Sequence, residues 1–208
     1  MKVECYGASR PQSNRPGNED AFLIIRENFV IAAVCDGAGD AQRAAQKALR
    51  QFQLLVQAAS PDQILNPDIW KGWCRILDSA LLGPSESTFL AAAVFGSQAL
   101  VTCVGDSRAY LIGAESGLKI LTNSSAKFRL GSGKAKPFFI NLSLNLRDIL
   151  LLMTDGAWTP LSPSLLERIV RGAFSRHFSD LPGVILDAAG KTGRWDDMTV
   201  VALRVISR

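Results

Sequence analysis

Acidic residues stand at the ends of five apolar runs in this chain. Glu19-Asp20 immediately precede the run 21–26, and Asp36-Gly37 immediately follow the run 29–35. Gly105-Asp106 follow 99–104, Asp155-Gly156 close off 149–153, and Asp196-Asp197 precede 198–205. A single Asp or Gly after a strand is a turn former and implies nothing more. Five carboxylate positions brought to one edge would repel one another, and such an edge needs cations. Oxygen donors without histidine or cysteine beside them select hard ions, Mg2+ or Mn2+. Two such ions bridged by a carboxylate can activate water for in-line attack on phosphorus.

The elements that would carry these acids can be read from periodicity. Glu27-Asn28 separate the runs 21–26 and 29–35, which predicts a hairpin with a tight turn. In a hairpin turning about residue 28, positions 20 and 36 are equally distant from the turn and lie opposite each other, with Glu19 beside them. A further strand is expected over 2–8. Residues 41–58 place Leu49, Phe52, Leu55 and Val56 at helical spacing, and 67–82 do the same with Ile69, Trp70, Trp73, Ile76, Leu77 and Leu81. Strands are expected again over 88–95, 99–104, 109–112, 118–121, 138–142 and 148–153. Helices are expected over 162–173 and 181–189, and a last strand over 198–205. Strand runs interrupted by helix pairs predict an α+β domain of layered antiparallel sheets.

Composition narrows the class. Hydrophobic residues make up 48% of the 208 and charged residues 20%, the mixture of a packed globular chain. Lys and Arg number 23 against 19 Asp and Glu, a net charge of +4 that suits anionic partners. No apolar run approaches the roughly 20 residues of a spanning helix, and residues 1–6 lack the apolar core of a signal peptide. Cys5, Cys35, Cys74 and Cys103 sit singly and read as reduced, buried residues of a cytoplasmic protein. One histidine, His177, excludes any mechanism that needs two. Cysteine phosphatase chemistry requires Arg six residues after a Cys, where this chain has Pro11, Ala41, Ala80 and Ala109. No Asp-x-Asp pair exists for an aspartyl-phosphate route. Gly131-Ser132-Gly133-Lys134 lacks the first glycine of a phosphate loop and reads as a flexible loop. Lys127, Arg129, Lys134 and Lys136 read as a solvated loop, with guidance of an acidic phosphoprotein as the alternative, and Trp70 with Trp73 as core.

At the acidic positions the chain resembles the metal-dependent Ser/Thr protein phosphatases, the PPM or type 2C family, in a short bacterial-type form. Arg15-Pro16-Gly17-Asn18-Glu19-Asp20 is similar to the family's Arg-x-x-Asn-Glu-Asp, and Asp36-Gly37-Ala38-Gly39 to its Asp-Gly-x-Gly. Val104-Gly105-Asp106-Ser107-Arg108-Ala109-Tyr110, Thr154-Asp155-Gly156 and Asp196-Asp197-Met198-Thr199-Val200 follow in family order. The resemblance implies an α-β-β-α sandwich of two antiparallel sheets flanked by helix pairs, as one domain over 1–208. It implies a phosphoserine/phosphothreonine phosphatase with two Mn2+ or Mg2+ ions. Asp36 would bridge them, Asp155 and Asp196 complete one, and Glu19 with the Gly37 carbonyl the other. Asp106 would help to hold a weaker third ion. Asp20 would orient the attacking water, and Arg15 would clamp the phosphate. A phosphorylated protein and a cognate Ser/Thr kinase are the partners implied, for a monomer with no nucleic acid or membrane role.

The chain departs from that pattern in places. The segment 123–137 is short for the family's flap, Asn123-Ser124-Ser125 replaces its Asp-His-Ser, Asp40 replaces a glycine, and Ala38 stands where eukaryotic members carry histidine. No side chain is thereby evident to protonate the leaving alkoxide. These departures keep a second reading open, a catalytically weak regulatory module that binds a phosphoprotein or kinase. Of the last acid pair, the resemblance gives the metal to Asp196. Asp197 would accept hydrogen bonds that fix the loop 193–195, so that Asp197→Asn would keep much of the activity.

Overall fold

The computed structural model describes residues 2–12, 17–39, 42–114, 116–122, 128–172, 177–193 and 196–207. The chain begins with β1 (Lys2–Arg10), the hairpin β2 (Asp20–Arg26) and β3 (Val30–Gly39), and the helices α1 (Gln42–Gln57) and α2 (Pro67–Leu81). Strands β4 (Ser85–Ser87), β5 (Phe89–Phe95), β6 (Gln98–Val104), β7 (Arg108–Gly113), β8 (Gly117–Ile120), β9 (Phe138–Ser143) and β10 (Ile149–Met153) follow. The one-turn helix α3 (Asp155–Trp158), helices α4 (Pro163–Gly172) and α5 (Leu181–Gly190), and β11 (Met198–Ser207) complete it. Sequence periodicity missed β4 and α3, both too short to carry a period.

Among the described residues the strands form two antiparallel sheets, in the orders β1-β11-β10-β7-β8 and β2-β3-β5-β6-β9, with β4 paired to the end of β3. Side chains alternate between two cores on every central strand, as the strand period of two requires. Ile31, Ala33 and Cys35 of β3 pack with Phe52, Trp70 and Leu77 of the first helix pair. Ala32 and Val34 turn the other way, onto Leu150, Leu152, Val201 and Leu203 of the second sheet. On β10 and β11, Leu151, Met153, Val200 and Ala202 face Leu166, Val170, Ile185 and Leu186 of α4 and α5. The result is four layers, α-β-β-α. Central strands are covered on both faces, which is why both parities of 198–205 are apolar.

The expected core residues take their places. All four cysteines are free and buried. Trp70 and Trp73 pack on Phe52 at ring-centroid distances of 5.3 and 6.0 Å, and Phe89 meets Phe52 at 5.0 Å. Asn66 caps α2 by accepting the Asp68 N–H at 2.9 Å, with Pro67 in the first turn, where its missing N–H costs nothing. No described helix is long and apolar enough to cross a membrane.

Phe52 is fully buried and touches three aromatic rings. Phe52→Ala is expected to cost about 3–5 kcal/mol of stability, measured by urea unfolding. A loss under about 1 kcal/mol would mean that the layer collapses to fill the cavity.

Candidate active site

Antiparallel pairing brings the acidic strand ends to one end of the sandwich. Asp20 is directly opposite Asp36 in the β2–β3 ladder, the register set by the three-residue turn Glu27-Asn28-Phe29 centred on Asn28. Gly37 donates its N–H to the Glu19 carbonyl at 3.2 Å, which continues the pairing past Asp36. Met153 at the end of β10 pairs with Val200 near the start of β11 and with Arg108 at the start of β7. Asp155, Asp196 and Asp106 therefore leave neighbouring strands at that same end.

Hydroxyl groups hold the backbone and side chains of this cluster. Asp36 stands opposite Thr88, between β4 and β5. Its N–H donates to Thr88 Oγ1 at 2.9 Å, and its carbonyl accepts the Thr88 N–H at 2.8 Å and Ser87 Oγ at 3.1 Å. Thr88 Oγ1 lies 2.9 Å from Ser107 Oγ, tying the Asp36 turn to the Gly105-Asp106 turn. Gly105 adopts φ +94°, and a Cβ there would crowd Thr88, so glycine is needed on both counts. Thr154 donates to Asp20 Oδ2 at 2.7 Å and accepts the Thr199 N–H at 2.9 Å. Thr154 and Thr88 were not singled out from sequence. The first lies inside a motif that was noted, and the second has no signal short of the fold.

Charge is unbalanced here. Burial pushes the Asp36 carboxyl up to about 7; Arg129 opposes the rise, and Asp155, Asp106 and Asp196 add to it. Burial and then the charge of Asp36 hold Asp20 well above the usual carboxylate range, against hydrogen bonds from Thr154 and Thr199. Asp155 is raised by burial, then by Asp106 and Asp196. Asp106 Oδ1 is buried without a hydrogen-bond partner.

Lys134 and Lys136 are exposed, as a solvated loop requires, and Lys127 lies outside the described residues, but Arg129 departs from that reading. Its guanidinium lies 3.4 Å from Asp36 Oδ2 and 3.6 Å from Asp106 Oδ2. The loop that carries it is tied down rather than flexible. Leu130 and Ser87 exchange backbone hydrogen bonds of 2.8 and 3.0 Å. The buried Asp78 of α2 accepts the N–H groups of Gly131, Gly133 and Ala135 at 2.7, 3.1 and 3.3 Å. This glycine loop does wrap an anion, but the anion is the chain's own carboxylate.

Asp197 has hydrogen-bond partners far along the chain. It is buried, and its two oxygens accept the N–H groups of Gln12 and Glu19, each at 2.6 Å. It thus pins both ends of the segment that contains Arg15; residues 194 and 195 of the loop it is expected to fix lie outside the described residues. Asp196 Oδ1 accepts the Asp197 N–H at 2.9 Å. Arg15, Asp40 and Asn123-Ser124-Ser125 lie outside the described residues.

Among the described residues no three acidic, histidine or cysteine side chains are gathered as a metal-holding set. Asp36 and Asp106 share a guanidinium instead. The donor chemistry nonetheless fits a hard divalent cation: carboxylate oxygens only, one of them an orphaned buried acceptor, around a carboxyl that burial and like charge destabilise.

No protein-family model and no curated protein matches the chain. Solved structures do. Stp1 from Staphylococcus aureus, a serine/threonine phosphatase, aligns over 100% of this chain and 96% of its own, with a TM-score of 0.88 and 17% identity. The PPM Ser-Thr phosphatase MsPP from Mycobacterium smegmatis, in complex with cacodylate, aligns over 97% and 98%, with a TM-score of 0.81 and 21% identity. The catalytic domain of the serine/threonine protein phosphatase PstP, in complex with two manganese ions, aligns over 99% of both chains, with a TM-score of 0.84 and 19% identity. The chain has the fold of the serine/threonine phosphatases. The α-β-β-α sandwich expected from the sequence is that fold.

Two predictions follow from the packing and charge of this end. A Cβ on Gly156 would collide with the Asp197 carbonyl oxygen and crowd Asp196 Cβ at 3.1 Å. Gly156→Ala is expected to cost about 1–3 kcal/mol by urea unfolding; a variant as stable as its parent would show that the two turns do not meet. For pH, the folded chain holds a proton on Asp36 up to about 7, whereas an unfolded carboxyl loses it near 3.8. The folded state binds more protons in that window, so this contribution to stability falls as pH rises from about 4 to about 7. In chelator, the drop in melting temperature across the window should be smaller in Asp36→Asn than in wild type, and equal drops would contradict it.

Proposed function

We propose that the chain is a metal-dependent phosphatase of phosphoserine and phosphothreonine proteins. The observation that carries the reading is the position of Asp36: it pairs with Asp20 in the hairpin and feels the charges of Asp155, Asp106 and Asp196, in a fold shared with serine/threonine phosphatases. Asp36, Asp155 and Asp196 would hold one ion, and Asp36, Glu19 and the Gly37 carbonyl the other, with Asp106 toward a weaker third. When bound, such ions supply Lewis acidity toward a phosphoryl oxygen and a water nucleophile at neutral pH. PstP, in its complex with two manganese ions, supports that assignment and favours Mn2+ over Mg2+ as the first metal to test.

The chain's own groups do the rest. Thr154 fixes Asp20 Oδ2, so the carboxyl is held to accept a hydrogen bond from, and orient, the attacking water. Asp197 pins the segment that carries Arg15, whose planar guanidinium suits a phosphate dianion. The unit of function is the single domain 1–208, monomeric, with the segment 123–137 in place of a longer flap. Four free, buried cysteines support a reducing, cytoplasmic setting. A phosphorylated protein is the substrate and a cognate kinase the natural source of it.

Hydrolysis of an aryl phosphate and a phosphothreonine peptide, with Mn2+, with Mg2+ and with chelator, tests the reading. Turnover is expected with metal and none with chelator; turnover that survives chelation would overturn it, and a folded chain inert with both metals would favour a binding module. Asp36→Asn should lose both turnover and calorimetric Mn2+ affinity. Asp196→Asn should lose most turnover. Asp197→Asn, which replaces one of two needed acceptors with an NH2 group, should keep its metal and raise KM, a cost that its bonds to Gln12 and Glu19 impose.

A further inference from the structure

The strap 128–137 is built around one charged group. Its backbone is anchored at three N–H groups by Asp78 and at Leu130 by the paired bonds to Ser87. Ser87 also bonds the Asp36 carbonyl, so the anchor and the acid cluster share a residue. Gly131 sits at φ +97°, and a Cβ there would run into the Ser85 carbonyl and Leu81, so the strap lies tight against α2 and β4. The side chain that this anchoring delivers is Arg129, only a quarter exposed and within 4 Å of both Asp36 and Asp106. An arginine on a mobile, solvated loop would lose that position to water and side-chain entropy. Three N–H bonds to a buried carboxylate remove much of the loop's freedom in advance.

We propose that Arg129 is a built-in competitor of the divalent cation: its guanidinium and the metal contend for the carboxylates of Asp36 and Asp106, and the strap sets how strongly the metal must compete. The proposal rests on the metal-dependent reading above. A guanidinium and a dication cannot both sit against one carboxylate oxygen without like-charge repulsion, so metal entry displaces Arg129 from Asp36. The chain then tunes its metal affinity downward by an internal cation whose strap is anchored on Asp78. Loosening the strap and deleting the charge should act in the same direction.

Calorimetric titration with Mn2+ at 0.15 M salt tests this. Arg129→Ala should bind Mn2+ about tenfold tighter than wild type, a shift of about 1.4 kcal/mol. Asp78→Asn should shift the same way by less, and the double variant should match Arg129→Ala. Arg129→Gln, which keeps length and hydrogen bonding without charge, should reproduce the gain if Arg129→Ala does not fold. Lys136→Ala removes a charge from the same strap and should change affinity less than twofold. Equal or weaker Mn2+ binding in the uncharged Arg129 variants would overturn the proposal and leave the metal reading intact. An equal gain in Lys136→Ala would also overturn it, by making the effect one of general charge. Absence of Mn2+ binding in every chain, wild type included, would overturn the metal reading and the proposal together.

Discussion

Mutual repulsion of carboxylates is the constraint on which the rest of this structure depends. Two such charges about 4 Å apart repel by about 4 kcal/mol at an effective dielectric of 20. The sandwich places Asp20, Asp36, Asp106, Asp155 and Asp196 at one end, with Asp20 buried and the other four half-buried. Each neighbour of the cluster answers that cost. Thr154 and Thr88 spend their hydroxyls on Asp20 and on the Asp36 backbone. Arg129 brings a full positive charge between Asp36 and Asp106. Glycines at 105 and 156 let the backbones of adjacent turns approach where a side chain would block them. A fold that needed only stability would not gather these acids, since apolar groups of similar volume would serve it better.

The layered antiparallel sheets were legible because their central strands are short, apolar and closed by Asp-Gly signals, and the resemblance implied the sandwich. The Asp20–Asp36 pairing could be placed by centring the turn on Asn28, since the turn's centre sets the register of everything beyond it. Strand β11 was legible as a strand but mute about its faces: Val200 and Val201 are both buried, one under α5 and one between the sheets. Local pattern failed where tertiary partners decide. Arg129 sits among Lys134, Lys136 and two glycines, a composition that reads as solvated, and only distant partners, the buried Asp78 and Ser87, make it otherwise. Asp197 likewise bonds across the chain to Gln12 and Glu19, a partnership with no local signature.

Identity of 17–21% to phosphatases of this fold leaves the activity to be argued from the site. There the acids converge at one end of the sandwich with an arginine against two of them. The short segment after β8 leads into a strap that is tied to α2 and that puts an arginine on the cluster. Substrate access and metal affinity are the properties such an arginine would alter, and Ser87 links its strap to the hydroxyl framework around Asp36.

The central claim is that Asp36 is the shared ligand of two divalent ions. Anomalous diffraction from crystals equilibrated with Mn2+ tests it most directly. Two manganese peaks flanking the Asp36 carboxylate, one toward Asp155 and Asp196 and one toward Glu19, are the expected result. Peaks at saturating Mn2+ that leave Asp36 without a metal contact, or no peak at this end of the sandwich, would contradict it.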